Sequence, residues 1–438
     1  MVRALPQPRP RQSACKLPYM VSLTVIRGTN QMVRARDKPM ALPLVGLRVV
    51  DLTKDFAGPF CTMILADLGA EVIKVEKPGL GDETRAWGPP FVRGQSCYFL
   101  SLNRGKKSVA LDLRTREAQK VIRELVVDSD FFVESFQPGT LSKMHLDYRS
   151  LRRLNKALVY CSISGFGQTG PYKNRPGYDL TAFAMSGIMS TTGERGRPPI
   201  RVSVPVADIA AGHYATTGIL AALARRLVTG TGDYVDVSLL DSIVSWLTYN
   251  ATYFFTTGKQ PDRFGSAHPS IVPYQAFKCQ DDYLIVAVGN DKQWQSLCKT
   301  LELHRLSEDR RFSTNPMRVR NRNALVLTLS KMFRQQRVVY WHKLLTGHGI
   351  PSAPVYTIRS VTKDKQLLSR GLIQRDRGTL RLASPLLFSA RRPAAFLTAP
   401  ELGEHTIPVL RKLGYSQKEA SRFALATSVE TRGSNKWE

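Results

Sequence analysis

The chain has 438 residues, 43% of them hydrophobic and 22% charged, with a formal net charge of +28. That length exceeds one simple core and implies two domains, or one large domain with a sizeable insertion, while no uninterrupted apolar run is long enough to span a bilayer. The six cysteines (15, 61, 97, 161, 279 and 298) form no C-x-x-C pair and the seven histidines show no metal-ligand spacing, which excludes a disulfide scaffold and a zinc site and implies a reducing compartment.

Residues 1–41 are Arg-rich and broken by Pro6, Pro8 and Pro10. Up to Met40 they hold eight basic residues against Asp37 alone, a net +7 that leaves +21 of the +28 for the remainder. The segment reads as a mitochondrial presequence, with the matrix as destination, rather than a secretory signal, because Val21–Ile26 is short and contains Ser and Thr. The basic body favours a polyanionic partner: nucleic acid, anionic lipid or a phosphate-rich small molecule. Zinc-finger spacing, an RNP-like strand motif and a continuous basic helix are all missing from the sequence, which disfavours nucleic acid.

From Leu42 the pattern becomes regular. Leu47–Leu52 reads as a strand, Gly58–Leu68 as a helix with Pro59 near its start, and Glu71–Val75 as the next strand. Strand, helix, strand in about 30 residues is a parallel βαβ unit. Glu76 sits where an acid could hold a ribose, but no G-x-G-x-x-G precedes the helix, so NAD binding is disfavoured. Ser108–Leu113, Asp130–Glu134 and Leu158–Ile163 continue the strands, with a helix over Thr115–Val127 and short helices near 140–144 and 148–155. The alternation predicts a doubly wound α/β domain.

Gly165–Pro171, running on to Gly177–Asp179, is too polar and glycine-rich for a core element; it reads as a ligand-lining loop or an ordinary crossover. Ile209–Leu227 is a run of small and apolar residues that predicts a buried helix, and Asp208 sits where its N-cap belongs. Taken alone, that stretch favours a cap over a catalyst. Tyr234–Ser238 reads as a strand, and the aromatics Trp246, Tyr249 and Tyr253 as a helix stripe facing core or a subunit interface. Residues 264–274 read as a loop, 283–288 as a strand, 294–301, 325–333 and 338–345 as helices, and the Arg-rich 302–322 as a solvated face. The expected division is 1–41 presequence, 42–229 first part of a large domain, 230–345 a smaller central α/β domain, and 346–438 a return to the large domain with a polar tail.

Several motifs, in order, resemble the family III CoA-transferases. They are Leu47–Thr53 with Ala57-Gly-Pro59, Ala66–Glu76, Gly81-Asp82 with Arg85, Asn103–Ser108, Val133–Gly139, Gly165–Pro171 and His268-Pro with Pro273-Tyr274. The likeness runs from about Leu42 to about Gly414. It implies a Rossmann-like large domain built from both ends of the chain, a small central domain, and an interlocked homodimer. It implies that Asp208 is a nucleophile, with Asp179 a supporting acid. It places coenzyme A against Lys77, Leu111, Arg114, Ser135, Phe136, Lys143 and Met144. The substrates implied are an acyl-CoA such as succinyl-CoA and a carboxylic acid such as the dicarboxylate glutarate; neither a permanently bound cofactor nor a metal is expected. Lys54 and Phe56 depart from the His and Gln of a formyl-accepting member, and Arg263–Tyr274 replaces its glycine-run loop, which allows a longer acid with Arg104 as a candidate for the far carboxylate. The α-methylacyl-CoA racemases are the alternative, but those pair this Asp with a His where Tyr178 stands, and a phenol is a poor base near neutral pH. His213 could substitute only if the fold brought its ring into place.

Overall fold

The computed structural model describes residues 42–92, 94–376, 379–388 and 398–430; segment 1–41, read above as a presequence, and the end of the chain lie outside them. Six strands, β1 (Arg48–Leu52), β2 (Glu71–Glu76), β3 (Lys106–Ala110), β4 (Phe131–Glu134), β5 (Val159–Ser164) and β6 (Tyr234–Ser238), form one sheet in the order β3-β2-β1-β4-β5-β6. Every neighbouring pair is parallel. Such a sheet must be covered on both faces, which is why β1, β2 and β4 are near-continuous apolar runs. Val49, Val72 and Val133 face one layer, with helices α1 (Ala57–Asp67) and α4 (Val206–Thr229). Val50, Ile73 and Phe132 face the other, with α2 (Arg116–Val127). A short helix, α3 (Asp179–Met185), packs between the glycine-rich loop and α4.

The strand order reverses between β1 and β4. Their carboxyl ends, Leu52 and Glu134, are register partners, so the segments leaving them diverge and open a crevice there. The small residues at the start of α4 have a packing reason. A Cβ on Gly212 would lie 2.8 Å from both Ala57 O and Phe60 Cδ1, so α1 and α4 approach to backbone contact only because position 212 has no side chain.

A second, antiparallel sheet has the order β9-β8-β7 and comprises β7 (Tyr274–Lys278), β8 (Tyr283–Ala287) and β9 (Ser352–Pro354). Its core holds Trp294, Phe312, Phe333 and Leu345. The boundary expected at residue 230 falls before β6, which pairs with β5 in the larger sheet; the buried core of the smaller sheet starts at Val272. The solvated face expected over 302–322 is also corrected at Arg318. Its side chain is fully buried, donating to Val272 O (2.7 Å) and Phe312 O (3.1 Å) and paired with Asp291 (2.7 Å). Near the end of the chain, His405 N donates to Ser108 O (2.8 Å) and Ala110 N to Thr406 Oγ1 (3.0 Å), tying helix α5 (Thr406–Lys412) to β3. Among the described residues no helix is long and apolar enough to cross a membrane.

Two buried ion pairs hold the loop that leaves β1. Lys106 Nζ meets Asp51 Oδ2 at 3.2 Å and also donates to Pro59 O and Asn103 Oδ1. Lys74 Nζ meets Asp82 Oδ2 at 2.8 Å and donates to Thr53 O at 2.7 Å. Burial alone would raise Asp51, but Lys106 and Lys74 outweigh it and hold the carboxyl below its ordinary value. Removing one partner of such a pair strands the other charge in the core. Lys106→Met should therefore cost roughly 3–5 kcal/mol in denaturant unfolding at pH 7; a loss below about 1 kcal/mol would contradict the assignment.

Candidate active site

A cleft of about 340 Å³ opens at the carboxyl ends of the strands, between the loop after β1, Ser135 after β4, Gly165 after β5 and the start of α4. Asp208 lines it, but not as the expected cap. The helix begins three residues earlier than the hydrophobic run suggests, with Pro205 at the N-cap position, so Asp208 is the third residue of the first turn. Capping is supplied by a different residue. Asp179 Oδ1 accepts from Ala207 N at 2.7 Å and, at longer range, from Asp208 N at 3.4 Å. Among the described residues nothing donates a hydrogen bond to the Asp208 carboxylate itself.

Two glycines let Asp179 reach this position. A Cβ on Gly165 would meet Gly177 Cα at 2.9 Å, and a Cβ on Gly177 would meet Gly165 Cα at 3.0 Å. The loop between them therefore closes on itself and delivers Tyr178 and Asp179 to the cleft.

Asp208 is pushed up from 3.8 to about 8, first by burial and then by the neighbouring carboxylates of Asp179 and Asp55. The residue Asp55 was not singled out from the sequence. It sits in the left-handed region at φ 67°, a conformation that Asp tolerates better than most residues. Its Oδ1 is buried without a hydrogen-bond partner, and burial raises its pKa. The signal available was an acid between a strand end and Ala57-Gly-Pro59, too common a placement to stand out. An aromatic wall was missed as well: Tyr98 packs on Trp87 (centroids 4.9 Å) and on Phe56 (5.8 Å), all three lining the cleft. Burial, followed by the field of Asp208, pushes the Tyr98 phenol well above its ordinary value.

The positions expected to hold coenzyme A follow strand ends along the same sheet edge. Lys77 comes directly after β2, Arg114 shortly after β3, Ser135 and Phe136 directly after β4, with Lys143 and Met144 in a helical turn beyond. Ser135 lines the cleft and its Oγ accepts from Lys54 N at 3.0 Å. Lys77, Arg114 and Lys143 are exposed, and Arg114 forks onto Asp112. Phe136 and Met144 are half-buried against the second core. Leu111 is 1% exposed, and its side chain belongs to that core. Arg104 does not line the cleft, and its guanidinium is bonded to both oxygens of Asp67 at 2.9 and 2.6 Å. His213 packs edge-on against Phe60 and does not line the cleft, whereas Tyr178 does. Among the described residues no group of three His, Cys, Asp or Glu side chains is placed to hold a metal ion.

Known proteins share this sequence and fold. The family model described as CoA-transferase family III matches residues 44–406. The mouse protein named succinyl-CoA:glutarate CoA-transferase is 43% identical over 394 residues, covering 89% of this chain and 90% of that one. The succinate–glutarate CoA-transferase of Agrobacterium fabrum is 39% identical, covering 86% of this chain and 98% of that one. A crystal structure of a CAIB/BAIF family protein from Brucella suis superposes with a TM-score of 0.78 at 42% identity, over 85% of this chain and 100% of that one. A match over most of the chain in sequence and in fold makes it an enzyme of CoA-transferase family III.

Proposed function

We propose that the chain moves coenzyme A from succinyl-CoA to a dicarboxylate, glutarate being the leading acceptor, with Asp208 as the nucleophile. The observation that carries this reading is the division of labour between two aspartates. Asp179 satisfies the helix amides, and Asp208 is left with a free carboxylate in a cleft at the switch point of the sheet. The acceptor and donor follow the names of the mouse and Agrobacterium relatives.

In the proposed sequence, an Asp208 carboxylate oxygen attacks the thioester carbonyl and expels CoA thiolate, leaving a mixed anhydride. The thiolate attacks the aspartyl carbonyl of that anhydride, forming an aspartyl-CoA thioester and releasing succinate. The acceptor carboxylate attacks this thioester, giving a second anhydride and thiolate. The thiolate then attacks the acceptor carbonyl, so that acceptor-CoA leaves and Asp208 is restored. Each step exchanges one acyl bond for another, which divides a hard transfer into easier ones. Lys77, Arg114 and Lys143 suit the phosphates of coenzyme A as basic groups along the sheet edge; Ser135, Phe136 and Met144 suit its pantetheine arm and adenine. The racemases that use this Asp pair it with a His, whereas the residues lining the cleft include no histidine and Tyr178 stands at that position.

We also propose a homodimer in the mitochondrial matrix, with segment 1–41 as the presequence. The helix Tyr249–Thr257 supports the dimer, since Phe255 is 80% exposed beside half-exposed Tyr249, Tyr253 and Phe254. An aromatic surface of this kind needs a cover.

Asp208→Asn should lower transfer from succinyl-CoA to glutarate by at least about a thousandfold. The same variant tests the burial argument. With its folded-state pKa raised above the unfolded value, Asp208 holds its proton in the folded chain between about pH 4 and 8. Stability therefore falls as pH rises through that window, and the Asn variant escapes the loss. At pH 8 it should melt above the wild type; full activity, or a lower melting temperature, contradicts the reading.

The pH dependence gives a separate check. Because the nucleophile must be ionised, kcat/KM for the acyl-CoA should climb about tenfold per pH unit and level off near pH 8. Asp179→Asn keeps an oxygen for Ala207 N but removes one like charge, so it should move the inflection downward. A profile that is flat from pH 5 to 9 would count against Asp208 as the titrating nucleophile.

A further inference from the structure

A dicarboxylate acceptor presents two anions to a cleft that already holds Asp55, Asp179 and Asp208. Reaction consumes one of its carboxylates. The other must be matched by a cation, or its burial beside three acids costs more than binding returns. Two basic side chains line the cleft, Lys54 and Arg201. Lys54 Nζ is already paired with Glu83 Oε1 at 3.0 Å. Arg201 is exposed, and its side chain makes one hydrogen bond, Nε to Val202 O at 3.2 Å. It has no carboxylate partner among the described residues. Elsewhere near the site, Arg85 is tied to Glu76 and Arg104 to Asp67. Using either of those would mean breaking a half-buried ion pair, whereas Arg201 gives up only a single exposed bond.

We infer that Arg201 binds the distal carboxylate of the acceptor and thereby selects dicarboxylates over monocarboxylates. The inference rests on the transfer reaction proposed above. Its position suits the role: Arg201 lies on the non-helical segment that runs into α4, seven residues before Asp208, so one stretch of chain carries both the reacting centre and the anchor. A guanidinium presents two parallel N–H groups to a carboxylate, which a lysine ammonium does not. The anchor therefore selects for an anion at a set distance from Asp208, in an aromatic-walled cleft whose remaining surface suits methylene groups. Arg201 acts as a specificity residue and takes no part in the acyl exchange.

The test compares glutarate with pentanoate, which has the same carbon count and one carboxylate. With succinyl-CoA as donor to both, kcat/KM for the acceptor reports the second half-reaction alone. Arg201→Met should lower kcat/KM for glutarate by about 10- to 100-fold while leaving pentanoate within about twofold. Arg201→Lys should recover part of the loss for glutarate. Melting temperature should be unchanged in both variants, since the side chain holds nothing but Val202 O. An equal loss for both acceptors, or an unaltered preference for glutarate, overturns the assignment even though transfer itself proceeds. A wild-type protein that transfers CoA to neither acid sinks the underlying reaction, and this inference with it.

Discussion

The hydrogen bond from Ala207 N to Asp179 Oδ1 is the contact on which the site depends. The N-terminal turn of any helix has amides to satisfy, and an acid close to that turn is the usual answer. Here the acid comes from a separate helix, α3. That arrangement leaves Asp208, within the same turn, without a structural task. It also places two carboxylates side by side in a partly closed cleft, with Asp55 as a third. The loop glycines 165 and 177, the small residues along α4 and the buried ion pairs beneath the β1 loop all serve to bring those groups together.

The electrostatics then follow from competing magnitudes. A helix N-terminus favours an ionised carboxylate by about 0.3–1 kcal/mol. Desolvation and like charges oppose it, and each unit of upward shift is worth about 1.4 kcal/mol. With the carboxyl raised from 3.8 to about 8, burial and repulsion clearly win. A carboxyl held in this way is stored as the neutral acid and is poorly solvated once ionised. Storage as the acid holds back the proposed attack until the proton leaves, whereas poor solvation leaves the ionised carboxylate more reactive, and its buried charge opposes stability at pH 8.

Much of the architecture was legible in the chain. Parallel strands buried on both faces leave continuous apolar runs, so β1, β2, β4 and β5 stand out, as does the amphipathic α2 with Ala118, Val121, Ile122 and Leu125 inward. The helix after Asp208 was legible too, but its start was not. Pro205, Val206 and Ala207 carry no capping side chain, so local pattern assigned the cap to the nearest acid. What capped it lay 28 residues away, at the first residue of α3, and no local periodicity encodes such a contact. The motif resemblance named Asp208 and Asp179; it could not foresee that Leu111 would be sealed in a core or that Arg104 would be occupied by Asp67. Arg318 escaped for the same reason: a buried arginine looks like a surface one until its carbonyl partners are known. Asp55 and Tyr98 were invisible because their significance lies only in what the fold sets beside them.

The central claim is that Asp208 becomes covalently acylated. The most direct measurement incubates the protein with succinyl-CoA, quenches with hydroxylamine and maps the product by peptide mass spectrometry. The account predicts an aspartyl hydroxamate at Asp208 and at no other acid, absent when succinyl-CoA is omitted. Transfer of CoA to glutarate with no adduct at Asp208, or with the label on Asp179 or Asp55 instead, would contradict it.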